Sequence, residues 1–189
     1  MENIYLESER LVLRPFVEGD IPLLVDLDND SDVMKFINGG FPSTFDDRKA
    51  MFSRTLGFYQ KYNHKFGVWI AIEKNTSNFV GWFILRPDKT APDNLENLEL
   101  GYRLKKSFWG KGFATEMSKK LLDKAFRELN AKTVFAMAIK ENSASVNVMV
   151  KLQMKFHSSF FENQFPGKDK SAVRYSISRS EYEDGYKSN

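Results

Sequence analysis

The sequence has no cysteine among its 189 residues and only two histidines, His64 and His157. Disulfide bonds and a thiol nucleophile are therefore excluded for this chain, because both need cysteine. Two histidines that lie far apart in the sequence also argue against a histidine-rich metal site. We therefore predict chemistry that uses neither a thiol nor a metal ion.

An excess of charge of one sign and long apolar runs are also lacking. The 28 basic and 25 acidic residues leave a net charge of +3, without a dense basic block. This argues against nucleic acid as a partner. The longest apolar run, residues 79–85, is far too short to cross a bilayer, and the N-terminal stretch lacks the apolar core of a signal peptide. We therefore predict a cytoplasmic protein with neither a membrane nor a nucleic-acid partner.

Aromatic and aliphatic residues are plentiful instead. The chain is 42% hydrophobic, with 17 Phe and 3 Trp, which is enough for a sizeable core. We found no internal repeat, low-complexity tract or linker. The sequence therefore predicts a single domain over residues 1–189, with its core at about 9–178. The oligomeric state, monomer or homodimer, stays open.

The periodicity of apolar residues predicts an α/β protein. Helical spacing predicts helices at about 20–28, 33–37, 44–62 and 113–129, and a short helix after residue 142. Alternating or buried runs predict strands at 10–16, 66–73, 78–85, 98–104, 133–139, 156–161 and 172–178. The segment 162–170 is expected to join the last two strands, and the polar tail that follows is expected to fray. This order favours a mixed sheet with helices on its faces.

The segment 97–130 reads as a strand, a glycine-rich turn and a helix. Gly101 lies inside the strand, where a glycine indicates a bulge or the close approach of a ligand or backbone. Gly110 and Gly112 then bracket Lys111 just before the helix begins. A glycine turn at a helix N-terminus presents backbone N–H groups that attract phosphates, although an ordinary connection would also use glycines. The Walker and dinucleotide patterns are absent, since Thr115 occupies the third glycine position of the latter.

The turn resembles the acetyl-CoA signature of the GNAT superfamily of N-acetyltransferases, which reads Gln/Arg-x-x-Gly-x-Gly/Ala. The matching stretch is Trp109-Gly110-Lys111-Gly112-Phe113-Ala114, in which Trp109 replaces the usual Gln or Arg. The wider string ELGYRL…SFWGKGFATE is similar to the branch that acetylates the N-termini of ribosomal proteins. The resemblance implies a mostly antiparallel central sheet with helices on both faces. It also implies two splayed central strands with acetyl-CoA in the cleft between them.

A second stretch also resembles this family, in which Asn-x-x-Ser precedes a helix that ends in Lys-Leu-Gly-Phe. Asn142 and Ser145 keep the residue types and the spacing, whereas Gln153 and Met154 replace the Gly and the Phe. In the family the Asn touches the pantetheine arm and the Ser lies near the thioester sulfur. Asn142 could instead cap the helix. Gln153 stands where a left-handed glycine usually ends the helix, so it must adopt another geometry or bear strain.

The resemblance implies direct attack of an amine on the acetyl-CoA thioester in a ternary complex, without a metal. It makes Glu99 the candidate base and Ser145 the residue that assists departure of the thiolate. A solvent-facing charge at Glu99 and helix-side hydrogen bonding at Ser145 are the alternatives. Cofactor contacts are expected from Gly101, Tyr102, Arg103, Leu104, Trp109, Gly110, Lys111, Gly112, Phe113, Ala114, Thr115, Asn142 and Ser145.

The acceptor is expected to be the α-amine of a protein N-terminus. Its pKa of about 8 leaves about a tenth of it as free base at neutral pH, whereas a lysine amine has a pKa of about 10.4. A small amine (a polyamine, an amino acid or an aminoglycoside) is an alternative that a carboxylate-rich pocket would favour. A non-catalytic acyl-CoA sensor is another. The candidate pocket walls, unless they are core residues, are Phe36, Phe41, Trp69, Trp82 and Phe83.

Overall fold

The computed structural model describes residues 4–162 and 170–187 and places eight strands in one sheet. The strands are β1 (Leu6–Glu7), β2 (Leu11–Pro15), β3 (Gly67–Glu73), β4 (Phe79–Pro87), β5 (Asn97–Leu104), β6 (Thr133–Ile139), β7 (Lys155–Glu162) and β8 (Lys170–Ser178). The helices are α1 (Ile21–Asp28), α2 (Ser31–Met34), α3 (Phe45–Tyr62), α4 (Phe113–Arg127), α5 (Ser143–Lys151) and α6 (Arg179–Lys187). In the described part of the chain, no helix combines the length and the apolar character needed to span a membrane.

The sheet has the order β1-β2-β3-β4-β5-β6-β8-β7 and is antiparallel except between β5 and β6. These two parallel strands pair only through 97–99 against 133–135. Beyond Glu99 and Phe135 each strand keeps only its outer neighbour. The predicted mixed, mostly antiparallel sheet with two splayed central strands is therefore confirmed.

Both faces of the sheet carry helices because successive strand residues point to opposite sides. Trp69 and Phe83 pack with α4 in the main core cluster, and both are fully buried. Ile70, the next residue of β3, packs instead with Leu24 of α1, and Phe52 of α3 covers the same cluster. The core therefore lies in two layers, one on each side of the sheet.

The local signals at the helix starts have mixed outcomes. Thr44 caps α3 in a capping box with Asp47, at the predicted start of this helix. Asp20 precedes α1 as expected, but its carboxylate does not cap the helix. It binds Arg14 Nη1 and Nη2 at 2.7 and 2.6 Å and accepts from the Val17 N–H. The Asp20 carboxylate is thus bound to Arg14 of β2 and does not cap α1.

The C-terminal segment forms α6 (Arg179–Lys187), so the prediction of a frayed tail is wrong for residues 181–187. Tyr182 is buried against Phe126 of α4, and its hydroxyl donates to Asp123. Glu181 and Ser178 form reciprocal hydrogen bonds at the start of the helix. One buried tyrosine in a polar segment is a weak sequence signal, which is why the pattern does not reveal the helix. Most of the predicted 162–170 connection lies outside the described residues.

Candidate active site

A cavity of about 390 Å³ opens where β5 and β6 separate. It extends from α3, on one face of the sheet, to α5 on the other. Glu99, Tyr102 and Ser145 all contribute to its wall. The splay thus brings a carboxylate and two hydroxyls to one place, which are the groups that proton transfer to and from a substrate needs.

Glu99 is the carboxylate of this cavity and is only 8% exposed. Its Oε1 and Oε2 accept hydrogen bonds from Arg86 Nη2 at 3.0 and 3.1 Å. The alternative of a solvent-facing charge therefore does not describe this residue. Arg86 was not among the predicted site residues, although it lies directly opposite Glu99 in the antiparallel β4–β5 pair. The register of that pair is the signal that could have identified it.

Ser145 and Tyr102 form a hydroxyl pair at the opening. Their oxygens are 3.4 Å apart, with either one able to donate. Burial raises the pKa of the Tyr102 hydroxyl, while the contact with Ser145 acts in the opposite direction. Tyr102 therefore stays protonated at neutral pH and is able to donate.

Helix α5 positions Ser145 through its N-terminal cap. The Asn142 side chain accepts a hydrogen bond from the Ser145 N–H at 3.2 Å, so the capping role considered for Asn142 is present. At the other end, Gln153 has a φ of 61°, in the left-handed region that the family's glycine would occupy. Met154 is buried. The helix end is thus kept despite the two replacements, with backbone strain at Gln153.

The predicted glycine turn lies just beyond the far end of β5, outside the cavity wall. Gly112 is the N-cap of α4 and has a φ of 83°, and Gly110 has a φ of 70°. The first N–H groups of a helix have no partner inside it, and a glycine N-cap supplies no side-chain acceptor. Phe113 is buried, so only its main chain can reach a ligand. Trp109 Nε1 donates to the Leu104 carbonyl at 2.9 Å and holds the turn against β5.

Arg10 adds a cation beside this turn. A Cβ on Gly112 would lie 3.4 Å from its Nη2, and the Arg10 guanidinium stacks over the Phe113 ring at 4.3 Å. Arg10 also binds the Glu116 carboxylate, with Nε 2.7 Å from Oε2. Burial acts to raise the pKa of Glu116, but hydrogen bonds from Ser8 and Arg10 outweigh it and lower that pKa.

The helix N–H groups could hold the diphosphate of coenzyme A, and the Arg10–Glu116 ion pair beside them adds no net charge. No local sequence pattern connects Arg10 with a turn about 100 residues away, so this contact was not predicted.

The glycine inside β5 forms no bulge, contrary to one of the two predictions for it. Gly101 pairs regularly with Ile84, and the register shifts of the described sheet lie instead between Ala71 and Ile72 and between Phe156 and Ser158. A Cβ at Gly101 would lie 3.1 Å from the Ile84 side chain, and Gly101 lines the cavity. A side chain at position 101 would thus press on Ile84, whereas the close approach of a ligand stays a prediction.

Only Trp82 of the five candidate pocket aromatics lines the cavity. Trp69 and Phe83 are fully buried against α4, so these two are core residues and not pocket walls. Phe36 packs in a small cluster with Ile139, and Phe41 is 58% exposed, both away from the cavity. Residues of a strand alternate between the two faces, and the face of each aromatic could not be assigned from the sequence.

Acidic residues of the α1–α2 region pair with basic residues at the end of β5. Lys105 binds Asp26 at 2.8 Å and Lys106 binds Asp32 at 2.5 Å. Asp28 is fully buried and lies 2.5 Å from Arg103 Nη1 and 3.3 Å from Arg48 Nη1. These carboxylates hold α1 and α2 to the sheet and leave little free negative charge beside the cavity.

Comparison with known proteins gives a family match over most of the chain. Residues 10–155 match the acetyltransferase (GNAT) domain. The FsC-acetyl coenzyme A-N(2)-transacetylase of Aspergillus fumigatus is 30% identical over 185 residues, which cover 94% of this chain and 77% of that protein.

Two solved structures share the fold. The ribosomal L7/L12 alpha-N-protein acetyltransferase RimL, in complex with coenzyme A, has a TM-score of 0.77 at 15% identity and covers 93% of this chain and 98% of its own. The spermidine N-acetyltransferase of Vibrio cholerae, in complex with CoA and spermine, has a TM-score of 0.74 at 20% identity and covers 93% and 99%. The fold is thus common to enzymes named for different acceptors. The family match over residues 10–155, together with the splayed sheet, establishes that this chain belongs to the GNAT family of N-acetyltransferases.

Proposed function

We propose that the protein transfers the acetyl group of acetyl-CoA to the α-amine of a protein N-terminus. The observation that carries this proposal is the layout along β5. A glycine-led helix start lies beyond its C-terminal end, and the cavity with Glu99, Tyr102 and Ser145 lies at the splay. A ligand bound through its diphosphate at α4 would lie along the unpaired part of β5 and bring its thioester into the cavity.

Each side chain then has a defined task. Glu99 accepts the proton that the amine loses as its nitrogen bonds to the carbonyl carbon, and Arg86 holds the carboxylate in place. The paired hydroxyls of Tyr102 and Ser145 donate a proton to the departing sulfur. Main-chain N–H groups around Gly101 supply donors for the carbonyl oxygen. No covalent enzyme intermediate is needed, in keeping with the absence of cysteine.

An α-amine suits this site better than a lysine side chain. Its pKa of about 8 makes the free base about two hundred times more abundant than that of an amine with a pKa of about 10.4. A single carboxylate can supply the remaining deprotonation. The alternative of a non-catalytic sensor loses its main support, since Gln153 keeps the backbone conformation of the expected glycine.

Release of free CoA, followed with a thiol reagent, tests the proposal. The chain has no cysteine, so the enzyme itself contributes no thiol signal. The substrates are a peptide with a free α-amine, the same peptide with a blocked N-terminus and an internal lysine, and spermidine. We expect turnover with the free α-amine. Turnover confined to spermidine would assign a small-amine enzyme, and binding of acetyl-CoA without any turnover would assign a sensor.

Glu99→Gln tests the proposed base. The variant should lower turnover most at low pH, where the largest share of the acceptor is protonated, with a loss of about 10²–10⁴-fold. Glu96→Gln, an exposed acid just before β5 that pairs with Lys132, is the matched control and should retain wild-type rates. A pH–rate profile for Glu99→Gln identical to that of the wild type would exclude Glu99 as the base.

A further inference from the structure

The cavity wall carries more positive charge than the proposed chemistry uses. Its charged side chains come from α3, from the region of β4 and from β5, and five of them are basic. The five are Arg48, Arg54, Arg86, Lys89 and Arg103, against a single lining carboxylate, Glu99. Buried Asp28 lies behind the wall as a second carboxylate. Five cations and two anions leave an excess of three positive charges around the space that an acceptor would enter.

Three of these cations are already paired and two are not. Arg86 binds Glu99, while Arg103 and Arg48 share Asp28. Within residues 4–162 and 170–187, neither Arg54 nor Lys89 forms an ion pair, and both are exposed at the cavity. Solvent-facing cations at the mouth of a cleft attract anionic ligands and select against cationic ones.

The phosphates of CoA do not account for these cations. The helix start that fits a diphosphate follows Leu104, whereas Arg86 lies opposite Glu99, near the other end of β5. Five residue steps of extended strand lead from Glu99 to Leu104, a distance of about 17 Å. Lys89 follows the end of β4 at Pro87, which pairs with Leu98, so it lies at the same end of β5 as Arg86. Lys89 is therefore far from the turn that fits the diphosphate, and Arg54 of α3 lines the same cavity.

We propose that the acceptor carries carboxylate groups close to its reactive amine, as an N-terminus followed by Asp or Glu does. Arg54 and Lys89 would bind these carboxylates and hold the amine beside Glu99. This inference rests on the proposed function and adds the charge of the acceptor to it. It also predicts that a polyamine is a poor acceptor, since Asp26, Asp28 and Asp32 are each bound to a basic residue of the protein itself.

Peptides that differ only in charge test the inference. Three hexapeptides share an N-terminal Ser and carry two Glu, two Gln or two Lys at positions 2 and 3, with spermidine and free glutamate as further acceptors. We expect kcat/KM for the Glu peptide to exceed that for the Lys peptide at least tenfold, and to fall as salt is raised. Preference for glutamate over the Glu peptide would support the same recognition of carboxylates, with a small molecule and not a protein as the acceptor.

The outcomes separate this inference from the proposed function. If no peptide is acetylated, the proposed function itself fails, whatever the turnover of the free amines. If the Gln or Lys peptide matches the Glu peptide, or spermidine is preferred, the acidic acceptor is overturned.

Substitution of the two unpaired cations provides the second test. Arg54→Gln and Lys89→Gln should each raise KM for the Glu peptide about threefold, with little change in kcat or in KM for the Gln peptide. Lys89→Glu should shift preference toward the Lys peptide. Lys49→Gln, an exposed lysine of α3 outside the cavity wall, is the matched control and should change nothing. Equal effects of Arg54→Gln and Lys49→Gln would refute a role for Arg54 in acceptor binding.

Discussion

At the scale of single residues, Gly112 does two things that no other residue type would do as well. It holds a φ of 83° at the N-cap of α4, and it keeps the approach to the first-turn N–H groups free of side chain. Gly112→Val should therefore weaken acetyl-CoA binding at least tenfold in calorimetry, because a β-branched residue is strained there and covers the anion site.

A glycine without these constraints provides the control for that variant. Gly57 lies within α3, and a Cβ there would contact nothing within 4 Å. Gly57→Ala should leave acetyl-CoA affinity unchanged and stabilise the helix slightly. Unchanged affinity in Gly112→Val, with the fold intact by circular dichroism, would contradict a phosphate site at this turn.

The Tyr102 hydroxyl is the other residue-scale feature with a direct test. Tyr102→Phe removes the partner of Ser145 but keeps the ring that packs against Phe83. We expect kcat to fall at least tenfold while the dissociation constant of acetyl-CoA stays within a factor of two. Tyr5→Phe, at a tyrosine that stacks on Trp69 far from Ser145, should retain wild-type kcat. Unaltered turnover in Tyr102→Phe would leave proton donation to Ser145 alone.

Sequence reasoning reached some of these residues and not others, for a physical reason. Glu99, Tyr102 and Ser145 were named because they stand within motifs that are contiguous in the chain. Arg10 and Arg86 act through partners on other elements, and a side chain that crosses between strands has no local signature. The pairing of the α1–α2 acids was missed in the same way, because spacing does not show which lysine each aspartate meets.

At the scale of elements, helix α6 depends on a charged cap with a defined pH dependence. Hydrogen bonds from Lys155 and Ser178 lower the pKa of Glu181 from its ordinary 4.5 to about 2. The folded-state pKa is the lower one, so this stabilisation is complete above pH 4.5 and is lost as the pH falls toward 2. Because the Glu181 side chain is 35% exposed, solvent screening keeps the effect small.

Glu181→Gln tests this cap. The variant should reduce the free energy of unfolding by about 0.5–1 kcal/mol at pH 7, with the difference from wild type shrinking between pH 4.5 and 2. Urea unfolding at several pH values measures it. Glu183→Gln, at an exposed acid of the same helix, should show no such difference. A pH-independent effect of Glu181→Gln would show that charge is not what stabilises α6.

Helix α6 could not be predicted from the spacing of apolar residues in the sequence. Helices α3 and α4 are both indicated by residues that recur at helical spacing along one face. Among residues 179–185 of α6, whose side chains the structure describes, only Tyr182 is buried, and its neighbours are mostly polar. Its stability comes from the tertiary contact with Phe126 and Asp123, which the local composition cannot reveal.

At the scale of the whole molecule, Asp28 joins three elements. Its buried carboxylate on α1 binds Arg103 of β5 and Arg48 of α3. Asp28→Asn should lower the free energy of unfolding by about 3–5 kcal/mol, because a buried guanidinium loses its counter-charge. Asp26→Asn breaks an exposed pair with Lys105 and should cost about 0.2–1 kcal/mol. Similar losses in the two variants, measured by urea unfolding, would show that Asp28 does not tie the layers together.

The helix-covered sheet could be predicted from the apolar pattern, whereas the separation of its two central strands could not. Alternating periods along the chain predict an α/β sheet covered by helices, and the structure agrees. The splay came only through the resemblance to a family, because a change in strand direction after Glu99 leaves no mark in the apolar pattern. The two-sided cavity depends on that splay and so could not be derived from periodicity.

The separation of β5 from β6 leaves a half-filled ladder inside the sheet, from Leu100 to Leu104. An extended ligand with amide groups fits this gap through main-chain hydrogen bonds, as an added peptide strand does at a sheet edge. Under the proposed function, the arm of acetyl-CoA would pair with main-chain groups in this gap, and main-chain pairing does not distinguish one acyl group from another. Selectivity among acyl chains of different length therefore depends on the side chains deeper in the cavity. Enlarging the space near Ser145 should change which acyl-CoA is used as donor without weakening the binding of its CoA moiety.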